Sequence, residues 1–176
     1  SILIKWNPPE QNSYKLNVDG SCCGNPGKGE IGGIIRKGNG EWVLGYNMGF
    51  SHATDIYMET LALLYGLKLA IENNYLPLTI ETDCKELINL IHNKNCAFNL
   101  IDDCRCLLSR AGDPPLQHVY REANQAADSM AKNGSSLTTF GSLTTYLSPP
   151  TFAISILERD KLGTMWRRTI PACNAI

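Results

Sequence analysis

With 176 residues, 43% of them apolar and 19% charged, the chain is long enough for one domain with a sizeable core and has the composition of an ordinary globular protein. Its 16 basic and 17 acidic residues leave a net charge of −1, which excludes a broad electrostatic footprint for nucleic acid and leaves such binding to a local patch or a fused partner. No apolar run approaches the length of a membrane span and the start carries no targeting signature, so no membrane partner is expected.

In chain order, "YKLNVDGS" alternates, with Leu16 and Val18 on one face and Lys15, Asn17 and Asp19 on the other, the pattern of a strand. "GNPGKG" is turn chemistry. "EIGGIIRK" and "EWVLGYNMGF" read as two further strands joined by a "GNG" hairpin turn. From about Asp55 to Asn73 the period becomes helical, and Ala62, Gly66 and Ala70 form a small-residue stripe that lets the helix lie close to a sheet. "LTIETD" is a short strand, "CKELINLIHN" and "LIDDCRCLLSR" two helices, "LQHVYRE" a strand, and "NQAADSMAKNG" a helix opened by Asn124 and closed at Gly134. A meander followed by helix-separated strands predicts a mixed α/β sheet covered by helices, its first, fourth and fifth strands parallel. Residues 1–13 are a lead-in and 14–135 the domain. Residues 136–176 are an extension in which "TFAISILERDK" can form a short helix and "RDKLGTMWRR" reads as a solvated basic tail able to add contacts. Starting at Ser1, the chain reads as a processed product or a fragment.

Seven cysteines, at 22, 23, 84, 96, 104, 106 and 173, are odd in number and show no C-x-x-C spacing. They predict reduced thiols and an intracellular protein, nuclear or cytoplasmic. Four acids draw attention instead. Asp19 ends the first strand, Glu59 continues the stripe of the long helix toward the sheet, Asp83 ends the fourth strand, and Asp128 opens the last helix. Each has an ordinary alternative: a turn-starting Asp, a first-turn Glu complementing the helix dipole, an N-cap, and another dipole partner. Together, four acids converging beyond the carboxyl ends of parallel strands repel one another unless hard divalent cations join them.

The pieces "VDGSCCGNPG", "GEIGGIIR", "MET", "IETDCKEL" and "REANQAADSMAK" resemble the type 1 ribonuclease H family, in particular the plant ribonuclease-H-like domains found alone or in retroelement reverse transcriptases. Separations of 40, 24 and 45 residues between the four acids agree with that family. The resemblance covers about Lys15 to Gly134. It implies a five-stranded sheet of order 3-2-1-4-5 and endonucleolytic hydrolysis of the RNA strand of an RNA–DNA hybrid, leaving a 3′-hydroxyl and a 5′-phosphate. Asp19, Glu59, Asp83 and Asp128 would hold two Mg²⁺ ions, with Mn²⁺ as substitute. Cys22, Gly24 and Asn25 would contact 2′-hydroxyls in the minor groove of the hybrid, and Thr54 a DNA-strand phosphate. In the full-length protein the resemblance implies fusion to a reverse transcriptase or another domain.

The chain also departs from the pattern. "LQHVYREANQAAD" leaves no room for the histidine loop of many bacterial members, and His118 falls inside the strand pattern. Arg121, seven residues before Asp128, matches the arginine of the archaeal-like branch and is counted with the catalytic set, although it cannot relay protons. Between Asp83 and Leu116 only Lys85, Lys94, Arg105 and Arg110 are basic, so weak and salt-sensitive binding is expected. These departures support an alternative, a catalytically weak or inactive nucleic-acid-binding module of a larger protein.

Overall fold

The alternation in the first long strand is real, but both of its faces are buried. A computed structural model describes residues 1–96, 98–134 and 139–171; Cys173 lies outside them. After a short β1 (Ile2–Ile4), β2 (Tyr14–Gly24), β3 (Gly27–Lys37) and β4 (Glu41–Ala53) form an antiparallel meander. Leu16 and Val18 point into the larger core, while Lys15, Asn17 and Asp19 on the opposite face are nearly as inaccessible. Between β3 and β4 the chain makes one 3₁₀ turn, Gly38–Gly40, with Asn39 left-handed at φ 64°.

Helix α1 (Asp55–Glu72) crosses the Leu16 face of the sheet. Its stripe makes this possible: a Cβ at Gly66 would collide with Leu16 and Tyr46, and the Tyr46 hydroxyl donates to the Ala62 carbonyl. Strand β5 (Leu78–Thr82) runs parallel to β2; α2 (Lys85–His92) and α3 (Asn99–Arg110) follow, and β6 (Leu116–His118) runs parallel to β5. The sixth strand-like segment is shorter than "LQHVYRE" suggests. Past Val119, whose N–H still donates to the Thr82 carbonyl, the chain bends into a 3₁₀ turn at Arg121–Ala123 and enters α4 (Gln125–Gly134).

The extension folds onto the domain. The domain's five strands stand in the expected order, β4-β3-β2-β5-β6, and β7 (Thr144–Tyr146) adds a sixth at the β4 edge. Helix α5 (Thr151–Lys161) packs with α4 over Ile34 on the second face, burying Ala126, Ala127, Ala153 and Leu157. The segment read as a solvated tail instead begins in the last turn of α5 and ends as β8 (Trp166–Arg168), paired antiparallel with β1. Among the described residues no helix is long and apolar enough to cross a membrane.

Between β2 and these added elements lies a buried ionic network. Lys15 Nζ meets Glu81 Oε1 at 2.6 Å and Arg36 Nη1 meets Asp160 Oδ2 at 2.6 Å. Asn17 joins the two, donating to Glu81 Oε2 at 2.9 Å and accepting from Arg36 Nη2 and Trp6 Nε1. The Arg36 guanidinium stacks 3.6 Å from the centroid of the Trp6 ring. Removing one member of a buried ion pair strands the other's charge, a loss of about 3 kcal/mol or more. Arg36→Met should therefore destabilise the protein by about 3 kcal/mol in urea unfolding, and adding Asp160→Leu should recover part of that loss. Equal stabilities of wild type and Arg36→Met would contradict the network.

Candidate active site

Three acids meet where β2, α1 and β5 converge. One carboxylate oxygen from each of Asp19, Glu59 and Asp83 lies within 4.8 Å of the other two. Each arrives there for a local reason. Gly20 follows Asp19 in β2, and a Cβ at that position would run into the Met58 carbonyl group; its absence lets α1 close on the strand and sets Glu59 beside Asp19. Asp83 stands directly after β5.

The ordinary explanations for these acids fail one by one. Asp19 starts no turn, because it is paired with Gly32 inside β2 and the strand continues to Gly24. Glu59 is in the second turn of α1, and the first-turn acid is Asp55. Cys84, not Asp83, caps α2, its Sγ accepting from the Leu87 N–H at 3.4 Å. Asp128 does keep its position in the first turn of α4, where a carboxylate suits the helix dipole.

Asp128 also stands apart from the trio. Its Oδ2 accepts from Lys132 Nζ at 2.6 Å and its side chain is about half exposed. Its charge is still felt at both Asp19 and Asp83.

At this spacing two ionised carboxylates repel by about 3 kcal/mol in a medium of effective dielectric near 20. Protonation responds accordingly. Burial, then Asp83 and Asp128, push Asp19 up to about 8, with Arg121 pulling the other way. Glu59 is held well above its ordinary value by burial, Asp19 and Asp83, and Asp83 is raised by burial against the pull of Arg121. The Glu59 Oε2 atom is buried with no hydrogen-bond partner. An orphaned carboxylate oxygen inside an all-oxygen donor set fits a hard divalent cation such as Mg²⁺ or Mn²⁺. A cavity of about 280 Å³ opens beside the trio, lined by Gly20, Asp55, Glu59, Asp83, Glu86 and Arg121 among others.

Arg121, 89% exposed, reaches Asp83 Oδ2 with Nε at 3.3 Å. The tip of the β2–β3 hairpin is tied to the start of α1: Asp55 Oδ1 accepts from the Cys22 backbone N–H at 2.8 Å and lies 3.1 Å from the Cys22 thiol, while Asn25 Oδ1 accepts from the Asp55 N–H at 3.4 Å. Burial and then Asp55 push the Cys22 thiol up to about 11. Gly24 is left-handed, φ 85°, and the Asn25–Pro26 peptide is cis. Thr54 precedes α1, exposed and without a side-chain capping bond. His118 sits in β6 opposite Thr82, its ring edge-on to Tyr120.

Sequence reasoning missed two supporting residues. Asn124 does not cap α4 with its side chain; Nδ2 donates to the Val18 carbonyl at 3.0 Å and Oδ1 accepts from Asn17 at 3.1 Å, clamping the start of α4 to the strand that carries Asp19. Asp55 anchors the loop. The one available signal was the placement of Asn17, a polar residue two positions from Asp19 on the same face.

Residues 17–134 match the family model described as reverse transcriptase-like, and the chain belongs to that family, with a ribonuclease-H-like domain. An Arabidopsis thaliana protein provisionally named a ribonuclease H protein is 29% identical over 172 residues, 96% of this chain. The chain spans only 27% of the length of that relative. Among solved structures, ribonuclease H1 of the halophilic archaeon Halobacterium salinarum superposes with a TM-score of 0.64 at 24% identity, covering 69% of this chain and 96% of that one. A ribonuclease H1 isolated from compost, in complex with an RNA/DNA hybrid, gives 0.63 at 19%, covering 70% and 97%.

A carboxyl raised in the folded state keeps its proton there after the unfolded chain has lost it. From 3.8 to about 8 the folded protein thus binds more protons at Asp19 than the unfolded one, and stability falls as pH rises through that window. Urea unfolding in chelator between about pH 5 and about pH 8 should show this decline, at up to about 1.4 kcal/mol per pH unit for each such proton. Asp19→Asn should decline less and be the more stable protein at the upper end. Superimposable pH profiles for the two proteins would refute the crowding.

Proposed function

We propose that the chain is a metal-dependent endonuclease that hydrolyses the RNA strand of RNA–DNA hybrids. One observation carries this reading: three carboxylates from three separate elements converge within 4.8 Å, and one buried oxygen among them has no protein partner. The names of the Arabidopsis relative and of the ribonuclease H1 structures support the hybrid as substrate.

Asp19, Glu59 and Asp83 would hold one Mg²⁺ between them, and Asp19 with Asp128 a second. When bound, the two ions supply water activation and charge neutralisation for an in-line phosphodiester displacement. The remaining work falls to the chain itself. With Asp19 pushed up to about 8, and Glu59 and Asp83 shifted upward too, metal binding at the site would release protons. Arg121, permanently cationic and exposed at the cavity rim, engages a phosphate and offers no proton relay. The loop of Cys22, Gly24 and Asn25, pinned by Asp55, presents backbone to the minor groove, where 2′-hydroxyls distinguish RNA from DNA. Thr54, with no capping bond of its own, faces a DNA-strand phosphate.

In the full-length protein we place this domain beside a reverse transcriptase or another domain, in a reducing compartment, nuclear or cytoplasmic. The six described cysteines are free.

Labelled hybrid, RNA duplex and DNA duplex, each incubated with the protein in Mg²⁺ or Mn²⁺, should show cleavage of the hybrid alone. Chelation should stop it, and Asp83→Asn should lower the rate by about 100-fold or more. Binding of the hybrid with no cleavage in either metal would sink the enzyme reading in favour of a binding module.

A further inference from the structure

The C-terminal extension brings a third cation to the carboxylate site. A second cavity, of about 320 Å³, lies on the Asp128 side of the trio and is lined by Asp83, Arg121, Glu122, Asp128, Lys132 and Arg168 among others. Arg168 comes from β8, a strand fixed in place by its pairing with β1. Its Nη1 donates to both Glu122 carboxylate oxygens, at 3.0 and 2.9 Å, and its guanidinium lies 4.7 Å from the centroid of the Tyr120 ring. The group is therefore oriented from two sides. Both bonds to Glu122 leave from Nη1, so neither Nε nor Nη2 is taken by that carboxylate.

Charge makes the function of this arrangement conditional. The cavity wall holds three cations, Arg121, Lys132 and Arg168, against three acids, Asp83, Asp128 and Glu122. Two of those acids, Asp83 and Asp128, belong to the proposed metal set. Once they serve cations, the wall is left with a surplus of positive charge facing a space larger than a phosphodiester group. Arginine is suited to such a group because its planar fork donates along two directions at once.

We propose that Arg168 binds a backbone phosphate of the nucleic acid, so that with Arg121 and Lys132 it forms a phosphodiester subsite on the Asp128 side of the carboxylates. This rests on the reading of the site as one that acts on nucleic acid. It gives residues 144–168 a part in substrate binding, and it supplies locally the basic contact that the domain's net charge does not.

Binding of a fluorescent hybrid and of a DNA duplex of the same sequence, measured by anisotropy in Ca²⁺ from about 50 to about 200 mM salt, tests it. Arg168→Ala should weaken binding of both by about tenfold at low salt and lower the slope of log affinity against log salt by about one. Arg168→Lys, which keeps the charge without the fork, should restore the slope. A slope unchanged in Arg168→Ala overturns the proposal. So does equal loss in both variants together with a lowered thermal midpoint, which marks a structural role. If the wild type binds with the expected slope but never cleaves, the hydrolase reading falls and the subsite stands. If it binds neither nucleic acid, both fall.

Discussion

Like charge held close is the constraint around which this fold is arranged. Asp19, Glu59 and Asp83 would relax apart if their backbones could move, and the elements carrying them are each fixed by contacts that do not involve the acids. The approach of α1 to β2 at Gly20 settles Glu59. Cys84 takes over the cap of α2 and frees the Asp83 carboxylate. Asn124 fastens the start of α4 to Val18 and so holds Asp128 within electrostatic range. Repulsion is thus sustained by packing elsewhere, which is the usual relation between a functional site and its scaffold.

The second face of the sheet shows the same economy of charge. Lys15 and Arg36, paired across the β2–β3 ladder, are buried on the Asp19 face four residues further along the strands, and neither pairs with it. Instead Lys15 is committed to Glu81 and Arg36 to Asp160, with Asn17 linking the two pairs. Arg121, almost wholly exposed, reaches the trio at Asp83, and Lys132 engages the neighbouring Asp128. The deficit of positive charge therefore stays at the cavity mouth. A site whose buried cations are engaged elsewhere leaves an external cation to compete with the exposed Arg121 at Asp83 and Lys132 at Asp128 rather than with a buried ion pair.

How much of this could be read from the sequence depends on range. The meander, the long helix and its stripe, and the convergence of Glu59 with Asp19 and Asp83 follow from periods of two and 3.6 residues and from the topology they imply. The buried network does not. Arg36 finds its partner 124 residues away on α5, and Trp6 comes from the lead-in, so nothing in the alternation of "YKLNVDGS" announces that its Lys15 face is buried. For the same reason β7 and β8 were invisible: three-residue strands are specified by the edges they join rather than by their own composition. The asparagine clamp was hidden because Asn124 has the sequence signature of a cap, a role its side chain does not perform.

Net charge misleads in a similar way. A value of −1 describes the whole surface, whereas a nucleic-acid backbone meets only the few square nanometres around the site. There, Arg121, Lys132 and Arg168 sit within one cavity wall, each beside an acid of that wall: Asp83, Asp128 and Glu122 respectively. On the proposed reading, binding of cations at the carboxylates and binding of the phosphate backbone would be linked, each removing charge that opposes the other. On the same reading, the acids that count against nucleic-acid binding in the net charge are the groups whose occupation by cations would favour it.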